Sequence, residues 1–334
     1  MSHTHSAIDV HTHVVPEQFP VYGGTRPDIP WPSMAPAHAC HQHVMISGKV
    51  YRTVSDGAWS VPRRIEGMGA MRVGRQALSP MPELLSYWLP ADDGRVLIRY
   101  LNDQIAAMIN TAPERFVGLG AVPLQDLDMA LRELEYVRGT LGFAGVEIAT
   151  HVNGVSIGDA RFEPFFAAAE RAGAAIFVHA LRPIGQDRIV GPLSEQAVAF
   201  PADIGMAVAA IITGGIAARH PNLRIAFSHG GGAFSMMLPR IAHAWRMMPK
   251  ARETMPESPE VYARCFFYDC VVFDPKLVHL LIESYGQSQI LIGSDYPFAM
   301  GEGDPVGLLE RAGLDAAALS AITGGNARRF LGVA

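Results

Sequence analysis

Cysteine is scarce: the 334 residues contain three, Cys40, Cys265 and Cys270. An odd and sparse set builds no disulfide framework, so a reducing compartment, the cytoplasm, is expected. Basic residues are not in excess. There are 27 Lys and Arg against 32 Asp and Glu, for a net charge of -5, which lacks the footprint of nucleic-acid binding. The N-terminus has no apolar leader, and no apolar run reads as a membrane span. The longest, IGMAVAAIITGGIAA from Ile204, reads as a buried helix. No GxGxxG and no P-loop follows the first apolar run, which removes the main dinucleotide and nucleotide readings. There is no low-complexity tract. What remains is 49% hydrophobic and 18% charged, the balance of a globular protein with a large core.

Two textures divide the chain. From about residue 19 to 61 it is rich in Pro, Gly and His; GGTRPDIPWPSMAPAHA reads as loop and KVYRTVSDGAW as a short hairpin. Around this insertion, short apolar runs alternate with amphipathic helical patterns. The predicted strands are SAIDVHTHVV, RVGRQAL, RFVGLGAVPL, GVEIAT, AAIFVHA, LRIAFSHG, CFFYDCVVF and QILIGSDYPF. Their weak alternation suits strands buried on both faces. Eight such strand–helix units predict a (β/α)8 TIM barrel, α/β in class, as a single domain over 1–334 with an insertion after strand one.

Such a barrel places its chemistry at the carboxyl ends of the strands. Strand one ends in His11 and His13, strand five in His179, strand six in His229 and strand eight in Asp295. Three imidazoles and a carboxylate at one barrel mouth suit zinc with an open catalytic position. Alone, each has an ordinary reading: a hydrogen-bonded core histidine, or for Asp295 a helix cap. Together, on one side of one barrel, they point to a metal. The other histidines are weaker candidates. His3 and His5 precede the apolar run. His38, His41 and His43 with Cys40 read as a surface loop. His151 is a reserve candidate for the pocket wall, and His220 reads as a helix end.

IDVHTH, VHA, SHGGGAF and GSDYPF resemble the signatures of the amidohydrolase superfamily. More narrowly, the chain resembles the decarboxylase branch typified by 2-amino-3-carboxymuconate-6-semialdehyde decarboxylase, over nearly its whole length. The resemblance implies that His11, His13, His179 and Asp295 bind zinc, or Mn2+ or another divalent ion. It implies His229 as acid/base. It implies Arg52, seven residues before Trp59, and Arg240 as receivers of substrate carboxylates, the latter reaching into a neighbouring subunit of a homodimer. Arg suits bidentate carboxylate recognition. Where the family commonly reads VHPW, this chain reads VHAL, so Ala180 and Leu181 replace an aromatic wall, with Arg182 and Arg188 following. Strand four offers Glu147 and no lysine, which favours a mononuclear site.

The function implied is a metal-dependent, nonoxidative decarboxylase of a carboxylated ring-cleavage product or an aromatic acid in a catabolic pathway. Its partner would be a small acidic substrate, with neither nucleic acid nor membrane. The alternative is a hydrolase or hydratase of the same superfamily, acting on a lactone, amide or enol-acid. A third reading, a non-catalytic barrel, would close its metal shell with His229.

Overall fold

The computed structural model describes residues 7–192 and 195–334; His3 and His5 lie outside them. The chain starts with β1, Ile8–Val14, every residue of which is buried. A small antiparallel sheet follows, made of β2 (Ser33–Pro36), β3 (His41–Ile46) and β4 (Lys49–Ser55). Then come α1 (Val61–Ala70), β5 (Arg75–Pro80), α2 (Ala91–Thr111), β6 (Phe116–Gly120) and α3 (Leu127–Glu135). Next are β7 (Gly145–Ala149), the short pair β8 (His151–Val152) and β9 (Val155–Ser156), α4 (Glu163–Arg171) and β10 (Ala175–His179). They lead to α5 (Phe200–Thr213), α6 (Ile216–Arg219), β11 (Arg224–Phe227), α7 (Phe234–Met247), β12 (Phe267–Asp269) and β13 (Ile290–Leu291).

Eight strands form one sheet in the order β1-β5-β6-β7-β10-β11-β12-β13, each pair parallel. The sheet curls until its ends meet. Val10 N donates to Ile292 O at 3.1 Å, and Thr12 bridges Tyr296 in parallel register. This is the (β/α)8 barrel that the alternating runs predict. All eight predicted strands are present, because apolar runs such as AIFVH and GVEIA are buried along their full length.

Side chains fill the barrel. Ile8, Val10, Ala77, Leu119, Phe177, Ala226 and Leu291 pack together at its base, with Phe330 of the C-terminal helix against them. Helices cover the outside through a second apolar layer. In the long α2 helix, Leu97, Leu101, Ile105 and Met108 mark the buried stripe. Joined to the turn before it, α5 reaches 19 residues, Glu195–Thr213. That is longer than the apolar run suggests, and by length and composition alone it matches a membrane span. Half of the span is buried inside the protein, as in a core helix.

The insertion is more ordered than its composition predicts. Met34 and Ala35, expected in loop, lie in β2. His41 and His43, also expected in loop, lie in β3, where His43 pairs with Thr53 at 2.9 Å. The sheet docks by Val44 and Val54, which pack with Leu84, Leu89, Leu97 and Leu101. That docking places β4, and Arg52 on it, over the carboxyl ends of the barrel strands.

Candidate metal centre

Among the described residues, one group of three or more histidine, cysteine or acidic side chains is close enough to share an ion: His11, His13, His179 and Asp295. Their ligand atoms all lie within 4.8 Å of one another. The CHQH segment makes no such group.

The β1 strand supplies two of the four. A bulge in its pairing with β5 sets Val10 and His11 against Ala77 alone. His11 Nε2 and His13 Nε2 thus come to 3.1 Å. That spacing is natural for two donors each about 2.1 Å from one ion. The β10 strand ends on His179, whose ring lies about 5.1 Å from both. Asp295 follows β13 in a left-handed backbone conformation, φ 62. It caps no helix; its Oδ1 lies 3.1 Å from His13 Nε2 and 3.4 Å from His11 Nε2. Phe177 floors the group, 5.0 Å from the His11 ring.

Each ligand histidine is fixed through its other nitrogen. His13 Nδ1 lies 3.1 Å from Pro80 O and His179 Nδ1 lies 2.8 Å from Ala180 O. A carbonyl only accepts, so the proton sits on Nδ1 and the Nε2 lone pair turns inward. For His11 the partner is Asp269 Oδ2 at 2.7 Å. Asp269, at the end of β12, thus orients a candidate ligand, and the strand-end reading passes over it. Its signal was of the same kind as the rest: an acid closing the apolar run CFFYD. Its other oxygen accepts from Gly230 N and Val271 N, both at 3.0 Å.

The electrostatics are those of a cation site. Burial and its histidine neighbours hold His179 well below the ordinary histidine value. Burial likewise lowers His13 to about 4, against the pull of Asp295. On His11 burial is outweighed by Asp295 and Asp269, which raise it to about 10. Burial opposes ionisation of Asp295, but His11 and His13 hold it well below the usual carboxylate range. His179 Nε2 and Asp295 Oδ1 are buried with no hydrogen-bond partner among the described residues. Buried polar atoms seldom go unpaired. Two such atoms aimed at one point, with two imidazole nitrogens beside them, fit a divalent ion.

His229 follows β11 and lies beside these residues, its ring 5.0 Å from that of His179. Its Nε2 also has no partner among the described residues. Burial, and then the His11 charge, lower its pKa. The backbone there is left-handed for four residues, with φ 53 at His229 and 64, 74 and 57 at Gly230, Gly231 and Gly232. A Cβ on Gly232 would meet Pro201 O at 2.0 Å, so the glycines let this turn press against α5.

A cavity of about 410 Å³ opens above the centre, lined by His179, His229, Asp295 and Arg52. The Arg52 guanidinium lies over the Phe298 ring at 4.3 Å, and Phe298 stacks on His13. Arg182 also lines the cavity, but buried Glu83 takes its Nε at 2.8 Å and Nη2 at 2.5 Å. Trp88 lies beneath it at 3.3 Å. The aromatic wall that VHAL removes is supplied from other elements: Tyr51, Phe200, Phe273 and Phe298 all line the cavity.

The remaining candidates stand apart. Arg240 is exposed on α7 and does not line the cavity. Glu147 is fully buried, accepts from Ser79 Oγ at 2.5 Å, and is raised by burial to about 8. It lies 3.7 Å from His13 Nδ1, on the side away from the shared point. His151 bonds to Arg182 O and lies outside the cavity lining. His220 caps α6 and bonds Glu163 and Glu170.

Comparisons with known proteins identify the family and the fold. Over 98% of its length the chain is 34% identical to the 2-amino-3-carboxymuconate-6-semialdehyde decarboxylase of Dictyostelium discoideum, covering 91% of that protein. Among solved structures, IDCase of Metarhizium anisopliae matches with a TM-score of 0.84 at 21% identity, over 98% of this chain and 97% of that one. The 5-carboxyvanillate decarboxylase of Novosphingobium aromaticivorans, complexed with manganese and a nitrobenzoic acid, matches with a TM-score of 0.74 at 23% identity, over 83% and 82%. The family model for amidohydrolases matches residues 8–333. The chain therefore belongs to the amidohydrolase superfamily, in the branch that holds 2-amino-3-carboxymuconate-6-semialdehyde decarboxylase.

Proposed function

We infer that this protein is a metal-dependent, nonoxidative decarboxylase of a carboxylated ring-cleavage product or an aromatic acid. One observation carries the reading. The inward-facing nitrogens of His11, His13 and His179 and the Asp295 carboxylate meet at the floor of a cavity that also holds Arg52 and unpartnered His229. These four ligands would hold one divalent ion. When bound, the ion supplies Lewis-acid polarisation of a substrate oxygen. Zinc suits the three-nitrogen, one-oxygen donor set, and so does the manganese found in the Novosphingobium relative.

The protein's own groups do the rest. Arg52, braced on Phe298, receives a carboxylate through two parallel hydrogen bonds. Leu181, Phe200, Val271, Val272 and Leu277 line the cavity and keep water from the reacting carbon. His229, neutral at rest, takes a proton from a substrate hydroxyl or from water at Nε2. The bond to the carboxylate then breaks, carbon dioxide leaves, and the electron pair stays on carbon. His229 returns the proton to that carbon. The oxygen that gave up its proton then takes one from solvent, so the net change is loss of carbon dioxide from the carboxylate and gain of one proton.

On the same reading the chain is one domain, works in the cytoplasm, and forms a homodimer in which Arg240 of α7 completes the neighbouring cavity. The test is to strip the protein of metal, reload it with zinc or manganese, and follow carbon dioxide release from ring-cleavage acids and hydroxybenzoates. Metal-dependent release supports the reading. Hydrolysis of a lactone with no release from any acid would move the assignment to a hydrolase.

A further inference from the structure

Arg64 of α1 is among the largest fully buried side chains of the described residues. It forms no ion pair among the described residues, and the decarboxylation scheme does not use it. Burying an unpaired guanidinium is costly, and a hydrocarbon would fill the space without that cost. Burial pulls its pKa down to about 10, so it stays charged at neutral pH.

Its contacts converge on one place. Nη2 donates to His13 O at 2.5 Å, and Nη1 donates to Thr12 Oγ1 and Gln76 Oε1, each at 3.2 Å. Its Cζ lies 5.0 Å from the ring of Tyr296, the residue after Asp295. Gln76 passes the contact on to Asp9 Oδ2 at 3.3 Å, and Asp9 accepts from Ser294 Oγ at 2.5 Å. One guanidinium thus holds β1, β5 and the segment after β13. That is the seam where the barrel closes. His11 and His13 stand on one side of it and Asp295 on the other. The seam's own hydrogen bonds are His13 N to Tyr296 O at 2.7 Å and Asp295 N to His11 O at 2.9 Å, and the second joins two candidate ligands directly.

We propose that Arg64 is a positioning residue of the metal centre: it locks the closing seam and so sets the distance from the His11/His13 pair to Asp295. This rests on the metal reading above. It predicts that Arg64 governs metal affinity more than fold stability, because it bonds the backbone carbonyl of His13 and the side chain of Thr12, which stands between the two histidines.

The test compares Mn2+ affinity, read from the magnetic-resonance signal of the free ion, with thermal unfolding of the metal-free protein. Arg64→Lys keeps the charge but cannot reach His13, Thr12 and Gln76 together; Arg64→Met removes the charge as well. Each should weaken Mn2+ binding about tenfold or more, the range seen when groups supporting metal ligands are removed. Met68→Ala, a fully buried packing change on the same helix, should lower the unfolding temperature and leave affinity within about threefold. Exposed Arg63→Ala should change neither. If Arg64→Met does not fold, Arg64→Lys and Thr12→Val decide. Binding within about threefold of wild type in Arg64→Lys would overturn the proposal. So would an equal loss in Met68→Ala, which would make the role ordinary packing. Wild-type protein that binds neither Mn2+ nor Zn2+ would instead overturn the metal reading itself.

Discussion

His11 is the residue on which the centre's response to pH turns. In the metal-free protein burial works against its charge, but Asp295 and Asp269 raise its pKa to about 10, so at neutral pH it carries a proton. A metal must displace that proton. Apparent affinity should therefore rise about tenfold per pH unit between roughly pH 7 and 9. Competition with a chelator at three pH values checks this, and a flat profile would contradict it. Stability has the opposite sign. A histidine raised above its unfolded value of 6.5 stabilises the fold below that pH and loses the contribution as pH rises towards 10. Metal-free protein should thus melt at lower temperature as pH climbs through this window, and metal-loaded protein should not. Asp269 acts through His11. Asp269→Asn keeps the shape but accepts from His11 Nδ1 more weakly, and should cost about 10–100-fold in metal affinity, measured with the same chelator.

At the scale of elements, the strands were legible and the supports of the site were only partly so. Apolar runs ending in His or Asp marked β1, β10, β11 and the end of β13, because burial on both faces leaves a readable run. The same rule reaches Asp269 once an acid inside CFFYDC is counted as a strand end. Arg64 was not legible. Arg63 and Arg64 are adjacent on α1, and the first pairs with Glu66 in solvent while the second is fully buried. Only the placement of the helix separates them. The small sheet was legible only in part: KVYRTVSDGAW, which holds β4, read as β structure, whereas β2 contains Pro36 and has no fully buried residue, so that segment carries no apolar signature. That sheet holds Arg52 over the cavity by burying Val44 and Val54. Val54→Asp would put a charge in that joint and detach it. Metal content should be unchanged, while kcat/KM for the best acid found should fall more than about tenfold. Loss of metal together with activity would show that the sheet supports the barrel as well.

At the scale of the whole molecule, the proposed dimer would place Arg240 at the cavity of another copy. Exposed on α7, it lies outside its own cavity, whereas Arg52 lies inside. If a dimer exchanges Arg240, Arg52→Ala and Arg240→Ala proteins should each be nearly inactive. Mixed after dissociation, they should regain up to about a quarter of wild-type activity, because half of the dimers then contain one intact site. No recovery in a mixture shown to contain heterodimers would confine Arg240 to its own subunit.

The closure of the barrel has a consequence for how the protein is made. The four candidate ligands are spaced along the chain at 11, 13, 179 and 295, and the two sides of the seam are its first and last strands. A growing chain on the ribosome presents the histidine pair early and keeps it incomplete until Asp295 has emerged. If these four residues hold the ion, tight capture would require that synthesis has passed the eighth strand. Chains that stop short of it would release the ion and be told apart from finished ones by that alone.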